Sequence, residues 1–221
     1  MSTQAQPVQG HPTTIEIVET LLKSPVMIIN RIRDGRFGGP FLTCLLVLAA
    51  CHLTYGLVVG GFSGGVQWLA APCKLALGTA AAAVLCLPSL YVFSCLSGAT
   101  LHPGQALQLL GSALTVTGVL LVAFVPVAFI FTFSTASLGF MGGLHLLLWG
   151  ISLGFGLRFL RNGMASLEGT RRRFLDLWNL ILVLTMLQMC TVLRPLMGTS
   201  EHLLTGEKRF FLMHWLQVMG L

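Results

Sequence analysis

Two histidines, His52 and His145, fall inside long apolar stretches, where an imidazole has few partners and can serve as a ligand to a metal centre. Both lie near the middle of the stretch that contains them. Two imidazoles at one depth on different helices can ligate a haem, or each can ligate a chlorophyll magnesium. Gly142 and Gly143 beside His145 would leave room for a flat ring. The plainer alternative is that each neutral imidazole bonds to a hydroxyl, such as that of Thr54 or Ser152, or to a backbone carbonyl. The expectation is no cofactor beyond structural lipids, with haem or chlorophyll at His52 and His145 as the competing reading.

Charged side chains form a second group. Lys74 and Arg194 stand at one edge of the apolar stretches, where they could hold a lipid phosphate or a partner's carboxylate, or snorkel to the headgroups. At the opposite edge Arg171, Arg172 and Arg173 form a basic run, with Asp176 one turn away as their expected local partner. Trp215, near Phe210 and Phe211 and beside Lys208 and Arg209, has the mixture found at membrane interfaces. Lipid or partner contacts are therefore expected at Lys74, Arg194, Arg171, Arg172, Arg173 and Trp215.

No catalytic set emerges from the residue types. There is no Gly-x-Ser-x-Gly, no His-Glu-x-x-His and no pair of aspartates. Ser63 in the run Gly60 to Gly65 has His52 about three helical turns away on the same helix, too far for a base. The seven acidic residues all sit at or beyond the edges of the apolar stretches, whereas a proton or ion relay needs them spaced through the membrane. The reading is that the chain is not an enzyme, and lipid or solute transport, resting on Lys74, Arg194 and two prolines, ranks last.

The elements that carry these residues follow from composition. Of 221 residues 55% are hydrophobic and 9% charged, with a mean hydropathy of +0.84, too few polar groups to cover a surface in water. A bilayer core about 30 Å thick needs roughly 20 apolar residues of helix. Five such stretches are present, near 41–62, 74–96, 107–133, 136–160 and 174–197. The predicted fold is all-α, a polytopic bundle of five transmembrane helices over 41–197, with a cytoplasmic amphipathic tail at 1–40 and an interfacial tail at 198–221. Pro88 and Pro126 should bend the second and third spans. Glycines four apart, Gly56 with Gly60, Gly139 with Gly143 and Gly150 with Gly154, should let helices approach closely.

In the tail, Thr13 and Glu16 have capping-box spacing, Ile15, Val18 and Leu22 recur at helical period, and Pro25 should end that helix. The next segment, Val26 to Ile32, leads into Arg33, Asp34 and Arg36, and suits either the headgroup layer or docking on the bundle. No cleavable signal precedes the first span, so that span is expected to direct insertion. The six cysteines have no ligand spacing and read as small apolar side chains. The net charge of +6 lacks basic runs interleaved with aromatics and does not indicate nucleic acid. Instead, Lys and Arg concentrate before the first span and between the fourth and fifth. Five crossings put both segments on one side, which gives a cytoplasmic N-terminus and an external C-terminus, expected in a bacterial inner membrane.

The order of features resembles the Yip-type five-span membrane proteins, through Leu21-Leu22-Lys23-Ser24-Pro25 ahead of closely spaced spans. It is also similar to bacterial multi-span proteins of the same layout. That similarity lies in Ile32-Arg33-Asp34-Gly35, Leu53-Thr54-Tyr55-Gly56, the stretch Cys86 to Phe93, and Leu193-Arg194-Pro195-Leu196-Met197-Gly198. The resemblance covers Ile15 to Gly198 and implies a non-catalytic protein whose partners are other membrane subunits and phospholipids. The expected function is a subunit that anchors or scaffolds a larger membrane complex, the alternative being a haem- or chlorophyll-binding subunit.

Overall fold

A computed structural model of the chain describes residues 13–96, 98, 101–135, 137–166 and 172–192. The described residues are all-α. They form α1 (Thr14–Lys23), α2 (Pro25–Arg33), α3 (Gly38–Ser63), α4 (Gln67–Leu96), α5 (Pro103–Ala123), α6 (Val125–Ser134), α7 (Leu138–Ser166) and α8 (Arg172–Val192). By length and composition α3, α4, α5 and α7 can each cross a membrane, and α6 and the Leu175–Met189 stretch of α8 are shorter apolar helices. Arg171, Arg194, Trp215 and the expected interfacial tail at 198–221 lie outside the described residues.

Local chemistry sets the first two helices. The Thr13 hydroxyl accepts from Glu16 N–H at 3.4 Å and Glu16 returns a carboxylate oxygen to Thr13 N–H at 3.0 Å, the reciprocal cap expected from their spacing. Pro25 ends α1 and opens α2, where its missing N–H costs nothing. The hairpin does not stand off from the bundle. Ile17 and Leu21 of α1 and Ile28, Ile29 and Ile32 of α2 are buried in the main core, α1 against α3 and α2 against α5 and α7. Gln105, in the first turn of α5, donates to the carbonyls of Ile32 and Arg33 at 3.4 and 3.3 Å, satisfying the open end of α2.

α5 is the centre of the bundle. Of its apolar stretch 67% is buried, against 28–33% in α3, α4 and α7, and it packs between α3 and α7. α4 lies along α3 on one side and α8 on the other. The α3–α4 turn is built on Gly64 and Gly65, with φ of +67° and +57°, conformations that a side chain would oppose. Just inside it the helices nearly touch. A Cβ on Gly56 would strike Pro72, and one on Gly60 would strike the Gln67 carbonyl.

Three expectations are corrected. α4 starts at Gln67, seven residues before the predicted second span, because the Gly56 groove accommodates Pro72 within the helix. The third span is not one bent helix: it breaks at Phe124, whose N–H reaches back to Leu120 and Leu121, before Pro126. On α7 the close contacts are made by Gly156 against Ala113 and Thr117 and by Gly163 against Leu109, whereas Gly139, Gly150 and Gly154 face open space. Asp176 pairs with Arg161 of α7 at 3.4 Å, while Arg171 and the side chains of Arg172 and Arg173, its expected partners, lie outside the described residues.

Candidate functional site

Buried polar side chains gather where α3, α5 and α7 meet. Tyr55, only 2% exposed on α3, places its hydroxyl 2.7 Å from Nδ1 of His145 on α7, and the two rings meet edge to face with centroids 5.5 Å apart. His52 stands three residues before Tyr55 and so on the same face of α3. Its Nδ1 lies 2.9 Å from the Leu48 carbonyl. Its ring also packs against α5, where a Cβ on Gly118 would sit 3.2 Å from Nδ1 and 3.3 Å from Cε1. His52 is 1% and His145 7% exposed, and Nε2 of each has no hydrogen-bond partner among the described residues.

The hydroxyls named from the sequence are not the partners. Thr54 bonds to Ala50 O at 2.8 Å and Ser152 to Leu148 O at 2.9 Å, each turning back on its own helix. Tyr55 meets His145 across 90 residues of chain, and no periodicity in the sequence could announce that contact. The two histidines also differ in depth. His52 is near the middle of α3, but α7 runs on to Ser166, so His145 falls in its first third, about 10 Å from the start. Tyr55 spans this offset.

Lys74 is not at a helix end either. With α4 beginning at Gln67 it sits in the third turn, 7% exposed, on the same side as buried Ala71 and Gly78. Since Gly56 faces Pro72 and Gly60 faces Gln67, Lys74 is level with the residues around Thr54, close to the depth of the Tyr55–His145 pair. Tyr55 and Ala71 share a small apolar cluster with Val59, Leu121, Ala128 and Leu148, which seals this region.

Among the described residues the exposed basic side chains occupy the opposite end. Arg31, Arg33 and Arg36 project from α2 and the turn after it, and Arg158 and Arg161 from the last turns of α7. Ile29 of α2 packs near Gly163 of α7, so the structure brings together two basic segments that are far apart in sequence. Arg172 and Arg173 lie in the first turn of α8. Lys23 pairs with Glu19 at 2.6 Å and holds its carboxyl below the ordinary value of 4.5, and Arg33 approaches Asp34 at 3.8 Å. Arg31, Arg36 and Arg158 have no ion-pair partner among the described residues.

Cys44, Cys51, Cys73, Cys86 and Cys95 are free thiols, and no group of three or more His, Cys, Asp or Glu is placed to hold a metal ion among the described residues. Comparison of the chain with protein-family models, with curated proteins and with solved structures gives no match.

Proposed function

We propose that the chain is a non-catalytic membrane subunit that crosses the bilayer five times, with α8 as the fifth crossing, and braces a larger membrane assembly. The observation that carries this reading is the α1–α2 hairpin. It is clamped to the bundle by five buried isoleucine and leucine side chains and by Gln105, yet it turns Lys23, Arg31, Arg33 and Arg36 outward. Those residues, with Arg158 and Arg161, make a rigid basic platform at one end of a bundle whose outer faces are apolar. A platform of that kind suits attachment to acidic surfaces of partner subunits and to phospholipid headgroups.

The same clustering favours a cytoplasmic location for this end, in the plasma membrane of a bacterium, by the excess of Lys and Arg on the inner side of membranes. The resemblance to Yip-type five-span proteins supports the same layout. Extraction in mild detergent, followed by affinity capture and mass spectrometry, is expected to recover the chain with fixed companion subunits. Arg31→Glu/Arg36→Glu is expected to release them. Recovery of a lone monomer would refute the bracing role. Cysteine labelling from either side is expected to report residues 36 and 166 in one compartment and residues 64 and 137 in the other, and a mixed pattern would refute the crossing order.

A further inference from the structure

α2 stands alongside α5 instead of lying across the end of the bundle, and two contacts fix its register. Gln105 of α5 donates to the carbonyls of Ile32 and Arg33, while Ile29 and Leu109 of α5 meet at the same point of α7, Gly163. Passing from Gln105 to Leu109 carries α5 inward by four residues, and passing from Arg33 back to Ile29 carries α2 inward by the same number. The two helices are therefore antiparallel. At the usual rise of about 1.5 Å per residue, Pro25 lies about 6 Å deeper than Ile29, level with Phe159 of α7 and next to the depth of exposed Arg158.

One side of α2 is used for packing, since Ile28, Ile29 and Ile32 are buried. The other side changes character along its length. Its deep end exposes Val26 and Met27, at 60% and 56%, and its shallow end exposes Asn30, Arg31 and Arg33. Met27 and Arg31 are four residues apart, and Val26 and Arg33 seven, so each pair shares a face of the helix. In each the cation sits above the apolar side chain, by about 6 Å in the first and about 10 Å in the second. Arg31 has no ion-pair partner among the described residues, whereas Arg33 has Asp34 at 3.8 Å, so the first pair has its charge free.

We propose that this side of α2 seats an anionic phospholipid of the adjoining leaflet, its phosphate at Arg31 and an acyl chain along Met27. The proposal rests on the reading that the chain spans a bilayer with its basic end at the headgroups, and it names the partner of one part of the platform. A phospholipid has the order that α2 presents, negative charge above hydrocarbon. An acidic protein surface docked on the arginines would leave Val26 and Met27 uncovered beneath it. The buried isoleucines and the Gln105 clamp hold the helix upright, so the seat is built before the lipid arrives.

The test has two arms, both on the full chain. In bilayers containing phosphatidylglycerol, a spin label carried on p-acetylphenylalanine, which leaves the native cysteines intact, is placed in turn at positions 26, 27, 30 and 34. Labels at 26 and 27 are expected to collide with oxygen in preference to a water-soluble nickel complex, and those at 30 and 34 the reverse. In native mass spectrometry the chain is expected to retain phosphatidylglycerol over phosphatidylcholine, and Arg31→Gln to lower that preference about fivefold, with Arg158→Gln leaving it unchanged. Nickel access at 26 and 27, shielding of both from either quencher as under a protein partner, or a preference insensitive to Arg31→Gln would each overturn the proposal. Cysteine labelling from the two sides tests the crossings separately: a mixed pattern there removes both readings, whereas an ordered pattern with nickel access at 26 and 27 removes the lipid seat alone.

Discussion

Replacing one glycine on α7 by alanine separates a contact that packs the bundle from one that faces outward. A Cβ on Gly156 would lie 2.6 Å from the Ala113 carbonyl oxygen and closer still to the Thr117 hydroxyl, so α5 and α7 must move apart. At Gly154, two residues away and turned outward, the same atom meets nothing within 4 Å. Both substitutions gain the same helix propensity, up to about 1 kcal/mol. Overpacking costs about 1–3 kcal/mol. The difference between the two variants therefore isolates the clash, and Gly156→Ala should unfold about 1–3 kcal/mol more easily than Gly154→Ala. Gly163→Ala should fall between them, because its obstacle is the Leu109 methyl Cδ2, which can rotate away. Reversible unfolding in mixed micelles, followed by tryptophan fluorescence, measures all three. Equal stabilities for Gly156→Ala and Gly154→Ala would refute close α5–α7 packing at this glycine.

The join between α4 and α8 rests on Trp178, whose Nε1–H lies 3.0 Å from Ser89 Oγ and 3.3 Å from Cys86 O. Trp178→Phe should cost about 0.5–2 kcal/mol in the same assay, with coupling to Ser89→Ala in a double-mutant cycle, and zero coupling would remove the bond from the account. Thr115 donates to Cys44 O on α3 at 3.0 Å as well as to its own helix at Gly111 O, so Thr115→Val should lower stability by about 0.6 kcal/mol through the lost interhelical share. Glu19 tests the tail: its carboxyl is held below 4.5 by the hydrogen bond from Lys23 and then by that residue's charge. A folded value below the unfolded one means the pair's contribution is complete above the ordinary carboxylate range and is lost as pH falls through the lowered value. A ¹³C titration of Glu19 should therefore have its midpoint below 4.5 and rise in Lys23→Met, and a midpoint insensitive to Lys23 would contradict the pairing.

What could be read from the sequence was what neighbours along the chain decide. The Thr13 cap and the stop at Pro25 are local events, and composition alone indicated apolar helices long enough to span a membrane. What a distant helix decides was not legible. Four-residue spacing picked out Gly139 with Gly143 and Gly150 with Gly154 on α7, and of these Gly139, Gly150 and Gly154 meet no neighbour. The α5 ridge formed by Leu109, Ala113 and Thr117 instead selects Gly156 and Gly163, which are seven apart. The start of α4 was missed for a similar reason: Gln67, Pro72 and Lys74 depress the hydropathy, while Gly56 and Gly60 on α3 make room for that segment as helix. Lys74 moved from a helix end to a buried turn by that shift alone.

The break at Phe124 bears directly on the buried pair. α5 lies between α3 and α7, and its polar side chains Thr115 and Thr117 bond to the carbonyls of their own helix, at Gly111 and Ala113. A side chain crossing from α3 to α7 has to pass beyond that packed section. Tyr55 and Leu121 share one cluster with Phe124, Val125 and Ala128, so the crossing lies beside the point where α5 stops and α6 takes a new direction. Loss of helical continuity at Phe124, just ahead of Pro126, thus has a structural counterpart: it coincides with the Tyr55–His145 bond between two helices that α5 otherwise holds apart.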